Sequence, residues 1–200
     1  MTDRTPKTER GRRTMRRLLD AAAAEFGERG YHDAAITSIT QRAGVALGSF
    51  YTYFEGKEAL FRALVRDMSH AVRYHIAHEL RGVTDRLTAE RRGLEAYIGF
   101  VRRHKALYRI IEESQFVAED VYREHYRVFI EAYRDGLRAA SGRGEISEGQ
   151  DEVRAWALVG MSVFLGMRYG VWGEDMSPAE VAEAAGALIA HGLAPRRGAA

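Results

Sequence analysis

Between Ile36 and Phe61 the chain places hydroxyls (Thr37, Ser49, Thr52), phenols (Tyr51, Tyr53) and an ammonium (Lys57) around a short run of small residues, Ala46-Leu47-Gly48-Ser49. Arranged in this way, these groups suit hydrogen bonding to a phosphate backbone and neutralisation of its charge more than catalysis. Ser49 can donate or accept at a base edge or a phosphate, and Leu47 can touch a thymine methyl. Ala46 and Gly48 allow a duplex to come close. Tyr51, Tyr53 and Lys57 then fall beside phosphates. Each has a plainer alternative: Tyr51 and Phe54 could fill a helical core, and Thr37 could be an N-cap. Phe50 and Phe54 read as core, whereas Tyr53 and Lys57 lie on a face for which core packing offers no reason.

A second source of phosphate contacts lies upstream. The first seventeen residues hold seven basic side chains, Arg12 and Arg13 among them, against Asp3 and Glu9, although the whole chain carries a net charge of only +2. Such a block reads as a flexible or partly helical arm that meets a polyanion, the alternative being a solubilising tail. The signs of catalysis are weak. With no cysteine, a disulfide framework, a thiolate zinc site and a cysteine nucleophile are excluded together. His70, His75, His78 and Glu79 fall on one long helix, where histidines among charged residues are usually a solvated face. Neither a glycine-rich phosphate loop nor a nucleophile elbow stands out. The expectation is a protein that is not an enzyme, with no metal and no cofactor.

The elements that must position these groups are helices. The chain has 200 residues, 46% hydrophobic, and its three prolines are Pro6, Pro178 and Pro195, so the intervening sequence can run as helix without meeting a breaker. Met15, Leu18, Leu19, Ala22 and Phe26 line one face of a first helix ending near Gly30. Ile36, Ile39 and Ala43 mark a short second helix closed by Gly44. A stubby third follows from Ala46, and from Lys57 a long fourth runs to Gly82. The fifth to eighth are read from Leu87–Val101, Leu107–Ile111, Tyr122–Leu137 and Val153–Val171. Ser177-Pro178-Ala179-Glu180 has the spacing of a capping box opening a ninth. The fold class is all-α with about nine helices. No apolar run is long enough to span a membrane and no signal-peptide core follows the basic start, so a cytoplasmic location is expected.

The order of residues across about 12–65 resembles the DNA-binding domain of the tetracycline-repressor (TetR) family. The residues that carry the likeness are Thr37, the turn Ala43-Gly44-Val45, the run Tyr51-Thr52-Tyr53-Phe54, and Lys57. The resemblance implies a helix-turn-helix in which Thr37, Arg42, Tyr51, Tyr53 and Lys57 touch phosphates, together with the amide end of the fourth helix. Leu47, Gly48 and Ser49 read bases. Ala46, Leu47 and Phe50 depart from the residues common in the family at their positions.

So short a reading helix covers few base pairs, so specificity calls for a symmetric pair on two half-sites. A homodimer is therefore expected, with Gly160, Phe164, Gly170, Ala184 and Leu188 of the last two helices at the interface, an arrangement similar to the family's four-helix contact. Intramolecular packing of the same helices is the alternative. Tyr108, Glu112, Phe116, Tyr126, Phe129, Trp156 and Met167 combine aromatic groups with sparse polar ones, as a small-molecule pocket does; plain core is the alternative. The expected organisation is a flexible basic arm (1–12), a helix-turn-helix domain (13–56), a ligand-binding and dimerisation domain (57–194) and a tail (195–200). The function expected is a repressor on a palindromic DNA operator, released by a small apolar or aromatic inducer. An acyl-CoA-type thioester, its head met by Arg102, Arg103 or Arg109, is one candidate. The competing reading keeps DNA binding but gives the C-terminal half only dimerisation or protein docking.

Overall fold

In the computed structural model, residues 6–193 are described and nine α-helices lie among them, with no strand. Thr8 starts the first, its hydroxyl accepting from the Gly11 N–H at 3.1 Å, and α1 runs Glu9–Asp33. Because the helix begins there, residues 9–12 of the expected flexible arm are its first turn, and Arg12 and Arg13 are paired with Glu9 at 2.9 and 3.6 Å. Residues 1–5 and the tail 195–200 lie outside the described residues. Gly30 interrupts α1 with φ of 80°, a conformation natural to glycine. The helical path therefore kinks where the sequence suggests an end.

Short helices α2 (Ile36–Ala43) and α3 (Leu47–Tyr53) follow, then α4 (Lys57–Glu79), α5 (Arg86–Arg103), α6 (Ala106–Val117) and α7 (Glu119–Gly142). The Asp85 side chain caps α5 by accepting from the Thr88 N–H at 2.8 Å. Then come α8 (Asp151–Gly166), a π-helical turn (Met167–Trp172) and α9 (Pro178–Leu193). The capping box of α9 is closed in both directions: Ser177 N–H donates to Glu180 Oε2 at 2.7 Å and Glu180 N–H to Ser177 Oγ at 3.2 Å.

The eighth helix does not stay α-helical to Val171. A Cβ on Gly170 would lie 2.7 Å from Val101 Cγ1, and Arg102 of α5 donates to the carbonyls of Tyr169 (3.0 Å) and Met176. These contacts hold the widened π-helical turn in place.

Two compact units divide the described residues. One holds the residues up to His70 together with Lys105–His125; the other holds Ala71–His104 and the residues from Tyr126 on. The reason lies in α1 and α6, which approach so closely that a Cβ on Gly27 would meet Ala106 Cβ at 2.5 Å. In the first unit Leu18, Phe26, Ile39, Phe50, Leu60, Phe61 and Leu64 are completely buried. Their burial lets helices of seven and eight residues persist, as lengths this short are unstable in water by themselves. In the second unit Ile130, Leu137, Ala155, Leu158 and Ile189 form one apolar cluster, and Leu94, Ile98, Val181 and Ala185 another.

Candidate nucleic-acid interface

The turn between α2 and α3 is fixed by its backbone. Gly44 adopts a left-handed conformation (φ 60°, ψ 41°), its N–H donates to Gln41 O at 3.0 Å and the Val45 N–H to Thr40 O at 2.9 Å. Arg17 of α1 then closes the carbonyl end of α2, donating from Nη2 to Ala43 O and, at 2.8 Å, to Gly44 O. Sequence reasoning counted Arg17 only as part of a basic block. Its targets are 26 and 27 residues away, so no local spacing announces them.

On this support α3 turns one side inward and the other outward. Phe50 and Phe54 are buried, their rings 5.7 Å apart. Ala46, Leu47, Gly48 and Ser49 are all exposed. A Cβ added to Gly48 would meet nothing within 4 Å, so the fold itself does not require a glycine there. Tyr51 is exposed, edge-on to Phe50 at 5.2 Å. Tyr53 is half-buried, and its hydroxyl would be 3.6 Å from a Cβ on Gly11, at the start of α1. Thr37, second residue of α2, is exposed, and its carbonyl accepts from Thr40 Oγ1 at 3.0 Å.

The cations are placed differently from expectation. Lys57 does have a packing reason for its face: Nζ donates to the carbonyls of Tyr31 (2.7 Å), His32 (3.0 Å) and Ala34 (3.0 Å) and lies 4.6 Å from the Tyr31 ring centroid. An ammonium has three N–H groups, and all three are used. The Lys57 ammonium is thus satisfied within its own chain. Arg42 donates from Nη1 and Nη2 to both Glu28 oxygens at 2.8 and 2.6 Å, and its Nη2 is 3.4 Å from buried Glu25. The pairing with Arg42 lowers the pKa of Glu28 and raises that of Arg42. Only its remaining N–H groups can reach a phosphate.

The residues expected to line a pocket fall in different units: Tyr108, Glu112 and Phe116 in the first, Tyr126, Phe129, Trp156 and Met167 in the second. Tyr108 is buried and Glu112 exposed. Phe116, 84% exposed, and Trp156, 51% exposed, face solvent, because each sits on the outer side of its helix. Tyr126 and Phe129 pack against the α7–α8 cluster, and Met167 opens the π-helical turn, half-buried. The arginines offered for an acidic head are engaged elsewhere: Arg102 as above, Arg109 with Gly27 O (3.2 Å) and Glu28 O (3.0 Å), and Arg103 with His75 Nε2 (3.2 Å). Sequence reasoning missed a buried polar group in the second unit. Arg86 Nε donates to Glu90 Oε1 at 2.7 Å while its guanidinium lies 5.1 Å from the Tyr133 ring centroid. Burial pushes Glu90 above the usual carboxylate range and raises the Tyr133 phenol, the Glu90 charge adding to the latter. Its one sequence signal was the i,i+4 spacing of Arg86 and Glu90.

Of the expected interface residues, Phe164 (67%) and Leu188 (64%) are among the most exposed apolar side chains. Ala184 is exposed and Gly160 has open space above it. Gly170 does not belong with them: it is buried and faces Val101 of α5 in the same chain.

Residues 18–64 match the family of bacterial regulatory proteins described as the tetR family. An HTH-type transcriptional activator, FasR of Mycolicibacterium smegmatis, is 31% identical over 135 residues, 68% of this chain and 60% of that one. The chain belongs to the TetR family. A further relative, the uncharacterized HTH-type transcriptional regulator YdgC of Bacillus subtilis, is 47% identical over 64 residues, 32% of this chain and 33% of that protein. The similarity thus spans from a third to three fifths of the length of these curated relatives. The fold extends further: the fatty acid degradation regulator FadR from Bacillus halodurans superposes with a TM-score of 0.77 over 92% of this chain and 96% of its own, at 17% identity. FadR from Bacillus subtilis, solved in complex with stearoyl-CoA, gives 0.75 over 87% and 96% at 16% identity.

Proposed function

We propose that this TetR-family chain is a homodimeric transcriptional repressor, acting in the cytoplasm, that binds a palindromic DNA operator through α3 and is released by a small apolar ligand. It regulates and does not catalyse. The observation that carries the reading is the two-sidedness of α3: Phe50 anchors it in the core while Leu47, Gly48 and Ser49 stand outward with open space over Gly48. In this reading those three residues touch base edges, and Thr37, Tyr51, Tyr53, Arg12, Arg13 and the outer N–H groups of Arg42 meet phosphates. Small side chains on the reading helix shorten the approach to the groove floor.

One copy of α3 reads too little sequence for a genome, so two copies must sit about one helical turn apart, roughly 34–36 Å, or a multiple of it. The outward apolar side chains of α8 (Val153, Trp156, Phe164) and α9 (Leu188) support a second copy of this chain as the partner, since large apolar patches on a soluble protein mark interfaces. Ligand release is a population shift: the effector prefers a conformation whose reading helices no longer fit the two grooves, and operator DNA weakens effector binding by the same factor. The stearoyl-CoA complex of Bacillus subtilis FadR makes a long-chain acyl thioester the first effector to test.

Selection of binding sites from random duplex is the direct experiment. The wild-type protein should enrich a two-fold symmetric sequence, and Ser49→Ala should change the preferred bases within each half. Enrichment of no sequence, or identical profiles for both proteins, would overturn base reading by α3. Titrating stearoyl-CoA into the selected complex then tests the effector, displacement of the DNA being the supporting result.

A further inference from the structure

The first turn of α4 follows α3 after only Phe54, Glu55 and Gly56, so whatever holds that turn also holds the end of the reading helix. What holds it is the kinked end of α1. Past Gly30 the carbonyls of Tyr31, His32 and Ala34 turn toward one point, and Lys57, the first residue of α4, fills that point with its ammonium. One turn further on, Phe61 packs against the Tyr31 ring (centroids 4.9 Å apart) and the Phe26 ring (5.1 Å), so an aromatic contact backs the polar one. The backbone of the same residue is also held by α6: the Tyr31 N–H donates to Glu113 Oε2 at 2.8 Å. A Cβ on Gly30 would lie 2.5 Å from Glu113 Oε1 and 2.8 Å from Arg109 Nη2, so a side chain there would displace these two groups, and the φ of 80° itself favours glycine. Arg109 adds bonds to the carbonyls of Gly27 and Glu28.

We propose that Lys57 and Glu113 are positioning residues for DNA recognition, which set the reading helix by holding the backbone on either side of the Tyr31 Cα to α4 and α6. The inference rests on the DNA-binding reading above but reverses the electrostatic role that the position and charge of Lys57 suggest. The two roles predict different salt dependence. A phosphate contact releases a counterion, and its loss makes the slope of log affinity against log salt shallower by about 0.9. A positioning residue lowers affinity and leaves the slope alone, because the phosphate contacts themselves are unchanged in number. Glu113 sharpens the distinction. By charge alone, removing an acid from a DNA-binding protein favours the complex; by positioning, it weakens it.

The test measures affinity of the full chain for a duplex selected by the wild-type protein, across a range of salt, for Lys57→Met and Glu113→Ala. The expected result for each is a fall in affinity of roughly tenfold with the wild-type slope retained. A shallower slope for Lys57→Met, or unchanged affinity, would overturn the inference; so would tighter binding by Glu113→Ala. If Lys57→Met fails to fold, Glu113→Ala, which leaves the ammonium in place, decides alone. Failure of the wild-type protein to select any duplex would instead sink the DNA-binding reading, so the two failures are told apart.

Discussion

The first unit and the second use their exceptional side chains in opposite ways. In the first, charged groups hold short helices together: Arg17 closes α2, Lys57 and Glu113 grip the end of α1, and Arg42 ties α2 to Glu28 of α1. In the second, apolar groups that the chain's own packing does not cover are the conspicuous ones, with Trp156 and Phe164 on α8 and Leu188 on α9. Helices of seven or eight residues bury too little to hold their own places and need polar links at their ends. Longer helices have area to spare, and where they leave it open a partner is implied. In the proposed reading the second unit is therefore completed by a second copy of the chain.

The largest test of this contrast is on the second unit. Phe164→Asp combined with Leu188→Asp should convert the expected dimer to a monomer in sedimentation and abolish binding to the two-fold operator, with helical content retained. A species of unchanged mass would show that these side chains do not mediate assembly. Gly48→Ala addresses the first unit. Helix propensity favours alanine by up to ~1 kcal/mol, and the added methyl meets nothing in the protein, so the thermal midpoint should hold or rise while affinity for the selected duplex falls. If affinity is kept, no duplex approaches that point closely. Ser177→Ala removes one half of the α9 capping box and should cost about 1 kcal/mol of second-unit stability in denaturant unfolding, without altering half-site preference.

The smallest effect is on pH. Burial, aided by Arg103 and His75, lowers His104 from its ordinary pKa of 6.5, so the unfolded chain takes up this proton first. Stability is then lost as pH falls from just above 6.5 toward the depressed folded value. Burial raises Glu90 from 4.5. Here the folded chain holds the proton longer, so its contribution weakens as pH rises from 4.5 toward the elevated folded value. Denaturation midpoints should respond in opposite directions in the two windows; His104→Gln should remove only the upper response, and retention of it would assign that window to another group.

How much was legible in sequence follows the same division. The helices and the capping box at Ser177 could be read because periodicity, glycine stops and hydroxyl caps act over a few residues. The outward face of α3 could be read for the same reason, Phe50 and Phe54 fixing which side is inner. The partners of Lys57 could not, since Tyr31, His32 and Ala34 reach it only through the kink at Gly30, far upstream. Nor could the exposure of Phe116 and Trp156, because an aromatic residue at helical spacing looks alike on either side of an amphipathic helix. By its sequence Gly170 is a small residue suited to a partner, but the neighbour that needs it small is Val101 of the same chain. Sequence spacing reports what a helix does locally; it is silent on which distant carbonyl or side chain completes a contact.

The π-helical turn at Met167–Trp172 has a consequence for how this chain can vary. Its wider ladder houses a surplus residue relative to an α-helix of the same rise, so shortening the chain by one there can be absorbed as ordinary helix. An equal deletion inside α9 has no such slack and would swing every later side chain by about 100°, carrying Leu188 off its outward face. Natural length differences among homologues should accordingly gather at this turn and avoid the helix that follows it.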